Sequence, residues 1–262
     1  VVDGNSTDKT RDIVAKYPVK LLVEKREGTN VARNTGIKHT NSEIVAFTDS
    51  DCVVSKNWIK KIVENFRDPE IGCVGGDVKG FSDAFFSKYA DNSLFPIIRT
   101  FKKRKELHFA SPFSGCPVGC NMAFRRKVLE EVDGFDESIR HSFEEDEIIE
   151  RICRTGYKLI LNPEALVWHK HRSNLKGVLK QSFKYGKGTG RLMKRPKNQR
   201  LVRRWFFINL VAMIQIILTI WFAALLIVMA KWEILFLVFF ASILLPFLVV
   251  MTFYVFRAKR GR

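Results

Sequence analysis

The sequence predicts an α/β fold, a mostly parallel sheet flanked by helices, followed by a basic interfacial segment and a two-helix transmembrane hairpin. Three observations lead there. Short apolar runs alternate with segments of helical spacing as far as residue 172, and acidic clusters stand at the ends of those runs. Two long apolar stretches, residues 205–230 and 232–256, close the chain, each long enough for the about 20 residues that cross a bilayer core. The net charge of +17 is gathered around those stretches: residues 170–204 hold 13 Lys and Arg and no acid, residues 257–262 hold four more, and residues 1–169 balance at 26 of each sign. A nucleic-acid binder would carry that charge as a stripe on its folded domain, so the distribution argues against such a partner.

The elements follow in order. With 262 residues, 47% apolar and 27% charged, the chain can bury a core and lacks the composition of a disordered one. Val1-Val2 reads as the end of a strand that is cut within the sequence, and Asp3 to Asp8 as a turn with Thr7 or Asp8 capping a helix that runs on to Lys16. A strand over 19–23, a helix over 29–38 and an apolar strand over 43–48 lead to Asp49-Ser50-Asp51. Residues 57–66 have helical spacing and 71–78 strand character, while 81–120 is irregular, aromatic and basic at 102–105. Helices are expected over 125–132 and 143–155, with Gly156 closing the second, then short strands over 158–161 and 165–168. From Leu175 to Leu192 a basic segment carries Leu175, Val178, Leu179 and Phe183 at helical spacing, the pattern of a helix lying in a membrane interface.

In the final hairpin the tight turn 230–233 makes two antiparallel helices, and Pro246 is tolerable in a membrane helix. The basic flanks put both outer ends, and with them everything before residue 205, on the cytoplasmic side. Five cysteines in that compartment are expected to stay reduced; Cys116 and Cys120 form a CxxxC without a second ligand pair and read as loop and core rather than zinc ligands.

Three groups could carry chemistry. Asp49 and Asp51, two apart at a strand end, offer hard oxygens for Mg²⁺ or Mn²⁺ and, through the ion, for a diphosphate. Glu144-Glu145-Asp146-Glu147 places four acids on the first turn of a helix, where they suit the dipole yet repel one another, so that one could serve as a general base. His169 and His171 alternate at a strand end, and one could complete a cation site with the two aspartates.

Taken together, Val1 to Asp8, Ala32-Arg33-Asn34-Thr35-Gly36, Asp49-Ser50-Asp51, Gly134-Phe135-Asp136-Glu137 and Glu144 through Arg151 to Gly156-Tyr157 resemble, in order and spacing, the family-2 inverting glycosyltransferases of the GT-A fold. The resemblance covers residues 1–172 and implies a nucleotide-diphospho-sugar donor, a divalent cation, and one displacement that inverts the anomeric centre. Asp3 and Ser6 match the motif that contacts the donor's base and ribose, Arg33 and Asn34 the helix lining the nucleotide pocket, and Asp49 and Asp51 the DxD pair with Asp51 the direct metal ligand. Counting back from Arg151 aligns Glu145 with the base, with Asp146 the alternative register; Glu144 stands on the acceptor side, and His169 is a further metal candidate.

Gln181 to Tyr185 loosely resembles the QxxRW motif of membrane synthases, which would let Tyr185 stack on an acceptor sugar. The family's first strand would lie ahead of Val1, and its loss would remove part of the nucleotide pocket. The expected organisation is a transferase domain over 1–172, an interfacial segment over 173–204, a hairpin over 205–256 and a basic cytoplasmic tail over 257–262, in contact with membrane lipid and a glycan or lipid-linked acceptor. The alternative is a non-catalytic membrane module that binds a nucleotide sugar or a partner without turnover.

Overall fold

A computed structural model of the chain describes residues 1–81, 87, 101–109, 116–140, 143–172, 174–195, 200–228, 237–239 and 242. They fall into two compact units, Val1–Arg195 and Pro196–Arg262.

The first unit begins with β1 (Val2–Asp3), α1 (Thr10–Val14), β2 (Leu22–Val23) and α2 (Thr29–Lys38). β1 and β2 pair in parallel as a two-stranded sheet. A larger sheet follows the order β3 (Ile44–Phe47), β7 (Met122–Arg125), β5 (Ile71–Gly80), β8 (Lys158–His169), β4 (Cys52–Val54), with β6 (Lys105–Leu107) also on β8. Its helices are α3 (Trp58–Val63), extended by a 3-10 turn over Glu64–Arg67, then α4 (Arg126–Glu131), α5 (Glu144–Arg154) and α6 (Leu175–Leu192).

The sheet is mixed, which corrects the expectation of a mostly parallel one. Among the described pairings β1–β2 and β5–β8 are parallel, while β3–β7, β5–β7, β4–β8 and β6–β8 are antiparallel. β7 runs against β5, with Met122 opposite Gly75, Ala123 opposite Val74 and Phe124 opposite Cys73. Four residues set flush against a helix carry too little period-2 signal to be read as a strand, and β4 and β6 are shorter still. β8 also differs, being one strand of 12 residues where two were expected. It passes Pro163 because the β5–β8 register shifts between Gly76 and Val78.

Alternation along the strands builds a core on each face of the sheet. Cys73, Met122, Phe124 and Leu159 join Val45, Val128, Leu129, Ile148, Ile149 and Ile152 on the face covered by α4 and α5. Their neighbours Val74, Ala123 and Ile160 turn to Trp58, Ile62 and Phe66 on the other. One polar side chain ties the second layer together. Buried Asn121 accepts a bond from Trp58 Nε1 at 2.8 Å and donates to the carbonyls of Asp77 and Ala165 at 2.7 and 2.8 Å.

In the second unit, α7 (Arg200–Val228) contains Val202–Leu225, a stretch of mean hydropathy 2.2 that is long and apolar enough to cross a membrane. It is the one such stretch among the described residues. Most of the expected second arm, 232–256, lies outside the described residues, as does the basic tail over 257–262.

Candidate active site

The cleft is built from strand ends. β3 delivers Asp49, and the chain turns at once, Cys52 N–H bonding to the Asp49 carbonyl at 3.1 Å, to enter β4. Lys170 N–H donates to the Asp51 carbonyl at 2.9 Å and fixes Asp51 against the end of β8. β4 pairs with β8 so that Cys52 stands opposite His169, whose Nε2 lies 3.5 Å from Asp51 Oδ1. His169 Nδ1 is 2.9 Å from His171 Nδ1, so one ring donates to the other. When His169 is the donor, its Nε2 carries the lone pair a cation needs. Burial holds the His169 ring below its usual pKa against the pull of Asp51, which favours that neutral form. Burial raises the Asp49 carboxyl, with Arg33 opposing and with Asp51 and Glu145 adding. Ligand atoms of Asp51 and His169 lie within 4.8 Å of one another, and a carboxylate with an imidazole suits Mn²⁺ while the carboxylate suits Mg²⁺.

The acids of α5 close the other side. Phe143 precedes them at φ 65, a left-handed conformation that is rare for a bulky residue. Of the four acids, Glu145 is half-buried and its Oε1 accepts the Gly119 N–H at 3.3 Å. Asp146 is also half-buried, on the same first turn. Glu144 and Glu147 are buried. Glu147 is committed to Arg151 at 2.7 and 2.8 Å, and Arg151 also donates to the carbonyls of Val132 and Gly134. Glu147 is thereby spent on Arg151, which holds the Gly134 turn, while Glu145 bonds the Gly119 N–H.

That turn is gripped from α2 as well. Asn34 accepts the Phe135 N–H at 2.9 Å and donates to the Phe135 carbonyl at 2.8 Å, while Asn30 donates to the Asp136 carbonyl at 2.8 Å. Gly134 has φ +62, and a Cβ there would lie 2.8 Å from Asn34 Oδ1, so glycine is required on both counts. Arg33 stacks its guanidinium 5.3 Å from the Phe135 ring centroid and reaches over Gly119 towards Asp49. Asp3 and Ser6 form a closed turn at the end of β1: Asp3 takes the Ser6 N–H at 3.0 Å, the Ser6 hydroxyl, and Arg11 Nε at 2.8 Å. The Ser6 and Arg11 bonds hold the Asp3 carboxyl below its usual range.

On α6, Tyr185 turns inward and receives a bond from Gln181 Nε2 at 3.1 Å. Burial pushes its phenol up to about 12, with Glu145 and Glu144 adding, so it stands within electrostatic reach of both acids. The structure thus brings Arg33, Asp49, Asp51, Glu145 and His169 together, with Tyr185 beyond Glu145. Asn34 stands behind them as a brace, and Asp3 and Ser6 close their own turn on β1. Sequence reasoning did not single out Gly119, Arg11, Asn30 or His171 as a brace for His169. The signal for Gly119 was a glycine in the Pro117-Val118-Gly119-Cys120-Asn121 turn that leads into Met122-Ala123-Phe124.

A glycosyl transferase family 2 model matches residues 1–133, half of the chain. The chain belongs to glycosyl transferase family 2. This family 2 chain is 27% identical over 160 residues to a pre-mycofactocin glycosyltransferase of Mycobacterium tuberculosis, which covers 61% of the chain and 34% of that protein. It is 26% identical over 201 residues to glycosyltransferase AglE of Haloferax volcanii, covering 72% and 61%. The chain therefore spans between about a third and three-fifths of these relatives' length. In fold it is similar to the mannosyltransferase PcManGT of Pyrobaculum calidifontis, solved with GDP-Man and Mn²⁺, at TM-score 0.55 and 23% identity over 75% of the chain and 55% of the other. It is similar also to residues 1–349 of TarS of S. aureus in complex with UDP-GlcNAc, at TM-score 0.53 and 16% identity over 78% and 60%. The α/β architecture is that of the GT-A fold.

Proposed function

We propose that the chain is the catalytic part of an inverting glycosyltransferase, which moves a sugar from a nucleotide-diphospho-sugar to a hydroxyl or lipid-phosphate acceptor at the cytoplasmic face of a membrane. The observation that carries this reading is the meeting of Asp49, Asp51 and His169 with Arg33 and Glu145 in one cleft. Asp51, with Asp49 and His169, would hold Mg²⁺ or Mn²⁺, and a bound ion offsets negative charge on the departing diphosphate. Asp3 and Ser6 take the base and ribose, and Arg33 the diphosphate, with Asn34 bracing the pocket. Glu145 accepts the acceptor's hydroxyl proton as that oxygen attacks the face opposite the leaving group, and Asp146 is its alternative. A lipid phosphate arrives already ionised, and then the same acid only orients it. Glu144 and Tyr185 line the acceptor side. GDP-Man and Mn²⁺ in the Pyrobaculum relative support the donor class and the cation.

The membrane side of the reading rests on α6 and α7. α6 exposes Leu175, Leu179 and Phe183, at 57%, 60% and 66%, among Lys176, Lys180, Lys184 and Lys187. Such a helix suits an anionic lipid surface with its inner face, including Tyr185, turned to the site. Val202–Leu225 then supplies the anchor, and the 13 basic residues over 170–204 favour the cytoplasmic side.

Calorimetry and turnover in detergent test this. Asp51→Ala is expected to abolish metal-dependent binding of a nucleotide sugar. Glu145→Gln is expected to keep binding and to lower turnover by about 10²–10⁴. Undiminished binding by Asp51→Ala would remove the metal assignment, and loss of turnover in Asp146→Asn instead would move the base by one residue.

A further inference from the structure

α6 gains little from the domain beneath it. Of its 18 residues Gly188 and Leu192 are buried, while Leu175, Leu179 and Phe183 stand outward at i, i+4 and i+8. A helix in a protein draws most of its stability from an apolar face packed on another surface, and this outward face is exposed. Its far end, by contrast, carries a polar clamp. The chain leaves the helix with the Arg195 N–H on the Leu192 carbonyl at 3.0 Å. The Arg195 guanidinium then reaches a turn 59 positions earlier, with Nη1 2.6 Å from Asp136 Oδ2 and Nη2 donating to the Ser138 hydroxyl. Asp136 Oδ1 closes the ring by accepting the Ser138 N–H at 2.8 Å and its hydroxyl at 2.6 Å.

The clamped turn leads to the donor side of the cleft. One residue before Asp136, buried Phe135 lies 5.3 Å from the Arg33 guanidinium. Its ring also meets Phe47 edge-on at 5.5 Å, and Phe47 ends β3 two positions before Asp49. We propose that Arg195 is a positioning residue, which passes the lipid-bound state of α6 to the donor pocket. With α6 seated on an anionic surface through Leu175, Leu179, Phe183 and the lysines among them, Arg195 is held at Asp136 and the turn sets Arg33 for the diphosphate. With α6 off that surface the helix frays, the clamp opens and donor affinity falls. A partly exposed ion pair, here with side chains 24% and 29% accessible, is weak enough to open and close in this way. The donor and the membrane are those of the transferase reading, on which this rests; the clamp itself rests on the bonds of Arg195, Asp136 and Ser138.

The test uses the full chain in lipid nanodiscs of phosphatidylcholine, alone or mixed with phosphatidylglycerol. Calorimetry with UDP or GDP and Mn²⁺ is expected to show about tenfold tighter binding in the anionic discs. Arg195→Ala is expected to bind equally weakly in both, and Arg195→Lys to keep part of the gain. Lys194→Ala removes the same charge one position away and is expected to keep all of it, whereas a general attraction of basic residues to lipid would treat the two alanine variants alike. A second measurement needs no nucleotide. The Phe135 and Ser138 N–H groups bond Asn34 and Asp136, and their amide exchange is expected to be slower in anionic than in neutral discs for the unsubstituted protein, and the same in both for Arg195→Ala. A lipid gain that survives in Arg195→Ala, or exchange at 135 and 138 that ignores the lipid in the unsubstituted protein, overturns the clamp. Absence of nucleotide binding in either disc would count against the transferase reading and leaves the exchange result to decide this one.

Discussion

At Gly119 a Cβ would lie 2.3 Å from Arg33 Nη2 and 3.6 Å from Glu145 Oε1, so one hydrogen atom in place of a methyl group lets the donor-side cation and the candidate base share the cleft. The obstacle is the end of a flexible side chain, so the fold can absorb Gly119→Ala while the guanidinium swings aside. That variant is expected to shift the thermal midpoint by only about 2–4 °C, the equivalent of ~1 kcal/mol, and to weaken nucleotide-diphosphate binding about tenfold. Calorimetry with the nucleoside diphosphate and Mn²⁺ checks it, and unchanged affinity would detach Arg33 from the donor. Glu147 makes the complementary point. It sits in the same acidic run as Glu145, yet its pairing with Arg151 gives it a structural task. Composition alone does not separate them, because the distinction is which way each carboxylate faces.

Elements are held by a few buried polar bonds where apolar packing alone would leave register free. Asn121 joins α3, β5 and β8 through three bonds, so Asn121→Ala leaves an indole N–H and two carbonyls buried without this partner. A loss of about 3 kcal/mol is expected, read as a lower urea midpoint with unchanged slope. The joint between β2 and α2 depends instead on charge. Glu24 accepts from Arg26 at 2.9 Å and from Thr35 at 2.6 Å, and these bonds lower its pKa from 4.5 to about 2. Its folded pKa is depressed, so the contribution is whole above the unfolded value and is lost as pH falls from 4.5 through about 2. Protection of the α2 amides, measured relative to the intrinsic exchange rate at each pH, is expected to fall across that window in the parent protein and to be already low, and flat with pH, in Glu24→Gln.

Over the whole molecule, charge and hydropathy are segregated along the chain: a balanced unit, a basic stretch without acids, then an apolar helix. The end of α6 is tied back to the turn below the site, Arg195 binding Asp136 at 2.6 Å and also the Ser138 hydroxyl. If Val202–Leu225 spans a bilayer, alkaline carbonate is expected to leave the protein in the membrane fraction and detergent to release it. Release by carbonate would reduce the membrane reading to peripheral contact through α6.

The sequence by itself determined the strand ends that bear acids, the extents of α2, α5 and α6, the apolar helix and its basic flank, because periodicity, charge and turn residues act over a few neighbouring positions. Asp49, Asp51 and Glu145 were legible for that reason. Only the tertiary structure decided the direction of β7, which depends on where the chain re-enters the sheet, and the single course of β8 past Pro163, which depends on the shifted register with β5. It alone decided that Gly119 supports Glu145, that Asn34 braces the Phe135 turn, and that Cys52 packs against Cys120. Those pairings join residues 26 to 101 positions apart, where the strand register of a closed sheet, and no local preference, sets which side chains touch.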